Sequence, residues 1–211
     1  MNITKQIIIA IIAISFIIGI VLYPTAPNQI ASHWNINGSV DGYMSKFWGL
    51  FLMPILSLVM FLLFLFLPKI DPLKENIKKF REHFDRFILA LVIFLFYIYL
   101  LTIFWMKGIR FDMGQFIAPM MGIFFYYTGI VLEKVKMNWF IGIRTPWTMS
   151  SHSVWDKTHQ LASKLFKVSG VIAYFGLLFP AYAFALVLIP VILSSIYVVV
   201  YSYLEYRREH N

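Results

Sequence analysis

Two stretches of this chain carry residue types at spacings that could do chemistry. In Ser151-His152-Ser153-Val154-Trp155-Asp156-Lys157-Thr158-His159, a helical backbone puts His152, Asp156 and His159 at i, i+4 and i+7. They then share one face, as metal ligands on a helix do. Just upstream, Arg144 stands between Ile143 and Thr145-Pro146. There its guanidinium could grip a carboxylate or phosphate bidentately, anchor the loop on lipid phosphate, or pair locally to lock the loop. In the other stretch, Pro24 to Lys46, the side chains of His33, Asp41 and Lys46 could converge as a polar cluster. Catalysis by His33 with Asp41 lacks a nearby nucleophile or oxyanion donor. With no Cys in 211 residues, thiolate chemistry, disulfides and zinc–sulfur sites are excluded.

The elements that must position these residues are membrane helices. The chain is 60% hydrophobic and 13% charged, against about 25% charged residues in a soluble domain. Crossing the hydrocarbon core takes about 20 apolar residues. Four runs meet that requirement: Gln6–Leu22, Phe47–Leu67, Phe87–Trp105 and Gly114–Leu132. A fifth stretch, Leu165–Leu204, has about twice the needed length, and Pro180 stands where a turn would divide it. Pro190 then falls inside the last helix and kinks it. The expected fold is one all-α polytopic membrane domain over residues 1–211 with about six spans. Met1–Lys5 followed by an apolar run mimics a signal peptide, but no small-residue cleavage site follows, so a retained first span is expected.

Charge gives the orientation. With both termini cytoplasmic, fifteen of the eighteen Lys and Arg fall on the inner side, leaving only Lys46, Lys107 and Arg110 outside. This is the asymmetry that orients membrane proteins, and it explains the net charge of +8 without nucleic acid. The spans contain no Asp, Glu, Lys or Arg at mid-depth. Such a group would mark an ion pathway, so a coupled transporter or pump is disfavoured. The inner connector Pro68–Arg86 mixes signs, with Glu75/Lys79 and Glu82/Arg86 four apart and Ile77, Phe80 and Phe84 between them. It reads as an interfacial, amphipathic lead-in to the third span.

The loops hold the specific information. In the outer loop of the 1–67 helix pair, Asn37-Gly38 and Asp41-Gly42 are both tight-turn dipeptides. With Ile36 and Val40 flanking a turn, a small β-hairpin is expected, either docking an extracellular ligand or capping the bundle with Trp34 and Tyr43 at the interface. The inner stretch 138–164 packs Trp139, Phe140, Gly142, Arg144, Pro146 and Trp147 into a connector. Connectors normally run to small polar residues, so this one is a candidate working surface. Ser150 or Ser151 would cap a helix lying along the inner interface, with Val154, Trp155 and Leu161 in the headgroups and Lys157 and Lys164 facing phosphate.

Both loops resemble the SdpI immunity-protein family with its N-terminal domain of unassigned function. The outer loop carries Pro27, His33, Trp34, Asn35, Gly38, Asp41, Gly42, Tyr43 and Lys46 in the family's order. The inner loop carries Asn138, Gly142, Ile143, Arg144, Thr145, Pro146, Trp147, Thr148, Ser150 and Ser151, then Val154, Trp155, Lys157, Thr158 and His159. His152 stands where the family is usually acidic and Asp156 at a variable position, which takes the metal triad out of the resemblance.

The resemblance implies a multi-pass protein of the prokaryotic plasma membrane, non-enzymatic and without cofactor or metal. It implies protection against a secreted, membrane-active toxic peptide, and signalling by recruitment of a cytoplasmic repressor. His33, Trp34, Asn35, Asp41, Tyr43 and Lys46 would face the toxin. Asn138, Gly142, Arg144, Thr145, Pro146, Trp147, Thr148, Trp155, Lys157, Thr158 and His159 would form the cytoplasmic signature. The partners are then membrane lipids, a peptide outside and a repressor inside, with no direct contact to nucleic acid. The alternative is a small membrane enzyme acting on a lipid or peptide at the inner face through His159, Asp156 and Arg144.

Overall fold

A computed structural model describes residues 2–35 and 38–210. Eight α-helices and one hairpin make up the described chain: α1 (Ile3–Leu22), β1 (Gln29–Trp34), β2 (Val40–Ser45), α2 (Lys46–Ile70), α3 (Lys74–Lys78), α4 (Arg81–Met106), α5 (Met113–Lys134), α6 (Pro146–Ser150), α7 (His152–Tyr174) and α8 (Ala183–His210). Six of the helices have at least 20 residues. Five are long and apolar enough to cross a membrane by length and composition: α1, α2, α4, α5 and α8. The sixth, α7, carries Asp156, Lys157, Lys164 and Lys167 within its first sixteen residues. The break between the last two helices falls where Pro180 predicts, in two short 3-10 turns at Phe175–Leu177 and Pro180–Tyr182. Pro190 lies inside α8.

Helix ends follow cap chemistry. The Asn2 carboxamide accepts from Lys5 N–H at the start of α1, and Asp112 accepts from Gln115 N–H at the start of α5. Each span buries only 22–33% of its most apolar window inside the protein. Ile17, Leu62, Phe66, Ile123 and Leu193 therefore remain outside the protein core, where lipid tails solvate them.

Two helix groups share the bundle. In the first, α1, α2 and α4 enclose Ile8, Ile12, Phe61, Phe84, Ile88 and Val92, and Tyr99 Oη donates to Ser15 O at 3.2 Å across the α1–α4 contact. In the second, α5 and α7 lie backbone to backbone along small residues. A Cβ on Gly170 would sit 2.5 Å from Gly122 O, and one on Gly129 would sit 2.7 Å from Ser163 O. Only glycine permits this approach, which is how membrane helices without a hydrophobic drive between them pack.

The hairpin and the inner connectors gather at opposite ends of the bundle. Antiparallel pairing runs from Gln29↔Ser45 to Trp34↔Val40 with irregular register at His33. Of the two expected turn dipeptides, Asp41-Gly42 is overruled: it lies inside β2, with Gly42 opposite His33. Gly38 takes the left-handed conformation at φ 73°, whereas Ile36 and Asn37 fall outside the described residues. At the far end, the apolar side chains of the Pro68–Arg86 connector turn into the protein. Ile77, Phe80 and Phe84 are fully buried in the α1/α2/α4 core, beside Val135, Met137 and Trp155 from the signature loop. Glu75 pairs with Lys78 rather than Lys79, and Glu82 pairs with Arg86 as the spacing predicts.

Candidate functional site

The signature loop, 135–151, is built around buried polar groups. Asn138 has no exposed surface. Its Nδ2 donates to Lys136 O and Ile141 O, and its Oδ1 accepts from Phe140 N–H and Ile141 N–H, all within 2.9 Å. One side chain thus satisfies four backbone groups that a loop would otherwise leave to water. Gly142 follows at φ 111°, and a Cβ there would stand 2.6 Å from His159 Nε2. That absent atom leaves room for the imidazole to reach the loop. Thr145 and Thr148 then form a reciprocal cap for α6, with Pro146 at its first position, and Thr145 Oγ1 meets Ser202 Oγ of α8 at 3.1 Å. Ser151 caps α7 by accepting from Val154 N–H.

His159 holds the loop to α7. Its Nε2 accepts from Ile143 N–H at 2.9 Å, and Nδ1 faces Trp155 O at 2.8 Å. The donor at Nε2 and the acceptor at Nδ1 require the proton on Nδ1 and a neutral ring. Burial enforces the same state, pushing the pKa down to about 4. The ring stacks on Trp155 at 4.0 Å, and Trp155 Nε1–H donates to Val135 O at 3.2 Å. Both ring nitrogens are therefore engaged. His152 and Asp156 are exposed while His159 is buried, so the structure does not bring the three together. Among the described residues no group of three or more His, Asp or Glu could hold a metal ion.

The expected headgroup-facing helix is instead the first part of α7, and its apolar residues point elsewhere. Val154 and Trp155 are buried in protein rather than in lipid headgroups. Lys157 pairs with Glu205 of α8 instead of standing free for phosphate. Thr158 is buried with its hydroxyl lacking a partner among the described residues. Trp147 packs against Tyr203, with ring centroids 5.1 Å apart. Trp139 and Arg144 are exposed, and one Arg144 N–H donates to Trp139 O at 2.5 Å. The remaining guanidinium donors have no partner among the described residues, so an anionic group of a partner can meet them.

Two residues that the spacing did not flag tie this loop to the first connector. Asp71, buried, accepts from Leu73 N–H and, with its other oxygen, from Trp139 N–H at 2.9 Å. Asn76 Nδ2 donates to Met137 O at 2.9 Å. Nearby, buried Asp85 accepts from Asn2 Nδ2 and Arg81 Nε, with Lys5 Nζ 3.8 Å away. The only local hint was Asp71 before Pro72, which reads as a turn and says nothing of a partner 68 residues on.

At the other end the hairpin roofs a cavity of about 320 Å3. Ser32, His33, Trp34, Asn35 and Gly38 face Ile98, Met113, Ile117 and Met121 of α4 and α5 and Phe184 and Leu188 of α8. Asp112 stands at its edge, 3.2 Å from where a Cβ on Gly38 would be. Trp34 crosses Trp105 edge-on at 5.5 Å, and its indole N–H is buried with no partner among the described residues. His33 Nδ1 and Asp41 Oδ1 are 2.5 Å apart and solvent-exposed. The expected third member is elsewhere: Lys46 lies over the Tyr23 ring at 4.7 Å, at the foot of the hairpin. Tyr43 is 61% exposed.

Membrane-length apolar helices, lipid-facing flanks and polar loops at both ends define a multi-pass α-helical protein of the cell membrane. Residues 134–202 match the SdpI/YfhL protein family, and residues 10–58 match a domain of unknown function, DUF1648. The immunity protein SdpI of Bacillus subtilis (strain 168) is 28% identical over 204 residues, covering 95% of this chain and 94% of that one. The chain is thus similar to the SdpI/YfhL family over residues 134–202. No solved structure matches it.

Proposed function

We propose that this protein is a membrane immunity protein whose hairpin faces outward and receives a secreted, membrane-active peptide. The observation that carries the ligand side is the cavity beneath the hairpin. It has apolar walls from three helices, an indole donor in Trp34 with no partner among the described residues and an exposed His33–Asp41 pair at its mouth. A small apolar cavity with a few fixed polar groups is the usual form of a binding site, and about 320 Å3 accommodates one or two large side chains of a peptide. Similarity along nearly the whole chain to an immunity protein supports the protective role. Orientation follows from the fifteen Lys and Arg that collect at the signature-loop end.

In this reading the exposed Trp139 and Arg144 engage a cytoplasmic partner such as a repressor. A peptide outside alters that engagement only by binding two states of the protein unequally. The enzymatic alternative at the inner face has no matching geometry, since His159 is a buried, neutral loop latch with both nitrogens bound.

The test is membrane potential, followed with a voltage-sensitive dye in sensitive bacteria exposed to a membrane-depolarising killing peptide. Cells expressing the chain should hold their potential. An Ile117→Trp variant, which fills the cavity, should lose protection at equal expression. Full protection by that variant, or depolarisation of cells carrying the parent chain, would overturn the proposal.

A further inference from the structure

At the signature-loop end, a second pocket of about 370 Å3 is lined by Pro68, Lys69, Lys74, Ile77, Lys78 and Arg81. It forms because α2 ends at Ile70 and the chain turns through Asp71-Pro72 into α3. That turn folds Lys74 and Lys78 back toward the last turn of α2, while Ile77 anchors α3 in the core. Four cations thus converge from three helices. Two are partly neutralised: Lys78 by Glu75 at 2.7 Å, and Arg81, whose Nε binds Asp85 at 2.8 Å. The terminal nitrogens of Arg81 make no hydrogen bond among the described residues, its guanidinium lying 5.7 Å from the Phe84 ring. Lys74 has no carboxylate within ion-pair distance among them, and Lys69 meets only the Phe66 ring at 5.4 Å. The pocket holds more positive charge than the protein neutralises.

Its position selects the counter-charge. Phe66 and Ile70, on the same last turns of α2, are 58% and 63% exposed. A ligand matching both features carries a phosphate for the cations and apolar chains for Phe66 and Ile70. We propose that this pocket binds the phosphate headgroup of an anionic phospholipid. Basic pockets where helices leave the bilayer recognise such headgroups, and guanidinium and ammonium donors suit phosphate oxygens. The consequence reaches the signature loop, because the same connector holds that loop through Asp71 to Trp139 N–H and Asn76 to Met137 O. A bound lipid thereby stabilises the platform that presents Trp139 and Arg144.

The full chain in phosphatidylcholine nanodiscs, with and without phosphatidylglycerol, provides the test. Thermal unfolding by Trp fluorescence and native mass spectrometry of retained lipid are the readouts. Phosphatidylglycerol should raise the unfolding midpoint and be retained at least about tenfold over phosphatidylcholine, a preference worth about 1.4 kcal/mol. Lys69→Gln/Lys74→Gln/Lys78→Gln should abolish both effects yet unfold like the parent in pure phosphatidylcholine. Lys136→Gln/Lys164→Gln/Arg207→Gln, equal in charge but away from the pocket, should preserve them. Equal loss in both triple variants would reduce the effect to general surface charge and overturn the site. Equal stabilisation by millimolar inorganic phosphate in phosphatidylcholine would reassign the pocket to a soluble anion. No selective retention by the parent would refute lipid binding outright.

Discussion

The two loops that mark this chain are built on opposite plans. In the signature loop, Asn138, Thr148 and Thr158 have no exposed surface and His159 almost none. Asn138, Thr148 and His159 turn inward and spend their hydrogen bonds on the chain's own backbone. In the hairpin, His33 and Asp41 are paired with each other in solvent, and Trp34 holds a donor unspent among the described residues beside a cavity. A run of distinctive residues can therefore be a scaffold at one end of a protein and a reception surface at the other. The difference lies in which way the hydrogen bonds point. Substitutions separate the two plans: inner ones should cost stability, and outer ones should cost function alone.

The largest effect belongs to Asn138. Asn138→Ala strands two carbonyls and two N–H groups around a site without water access, and each buried orphan costs about 1–3 kcal/mol before relaxation. A loss of about 4 kcal/mol is expected in denaturant unfolding of the detergent-solubilised protein. A loss below about 1 kcal/mol would show that the loop is held chiefly by other contacts. Gly142→Ala comes next, at about 2–3 kcal/mol, because it combines a positive φ with a Cβ lodged against His159. Gly108→Ala is the control: its φ is 91° but nothing lies within 4 Å of its Cβ, so only the backbone term of about 1 kcal/mol remains.

A pH series tests the latch from another side. His159 titrates near 4 when folded and near 6.5 when the chain is unfolded. Between those values the unfolded state binds more protons, so stability is fully present above about pH 6.5 and falls as pH is lowered. Each pH unit across that window removes about 1.4 kcal/mol from this group, and the loss levels off below pH 4. His159→Gln keeps an acceptor for Ile143 N–H while removing the titration. It should be less stable at pH 7.5 but show a flatter profile down to pH 4.5. An unchanged slope would mean that groups other than His159 set the acid response.

What the bare sequence revealed, and what it hid, divides along similar lines. The spans, the break at Pro180, the hairpin and the Ser151 cap are legible because each rests on local chemistry: run length against bilayer thickness, proline geometry or a capping oxygen. The Asp41-Gly42 turn was misread for the same reason, since strand pairing with His33 outweighed dipeptide preference. Gly122 and Gly170 passed as members of apolar runs, although their closeness is what joins α5 to α7. Asp71 stayed hidden because its Trp139 partner lies 68 residues away, and so did the contact of Asp85 with Asn2, 83 residues away. His152, Asp156 and His159 share a spacing but not an environment, and spacing alone does not say which member turns inward.

The smallest structural effect, and the most telling functional one, belongs to the hairpin. His33 and Asp41 have side chains 71% and 44% exposed, and an exposed ion pair contributes at most about 1 kcal/mol. Asp41→Asn and His33→Ala, alone or together, should shift the unfolding midpoint by less than the Gly108→Ala control. Yet if the cavity mouth receives a peptide, both should lower the toxin concentration at which cells depolarise. The double variant should lose no more than the worse single one, because the two side chains act through one contact. Additive losses would place the residues at separate contacts with the peptide. Wild-type protection by both, at equal expression, would move recognition off the hairpin rim to the apolar walls below it, and the outer loop would then be a roof like the inner one. Stability and protection measured on the same variants distinguish these outcomes, since a roof fails by unfolding and a receptor fails while folded.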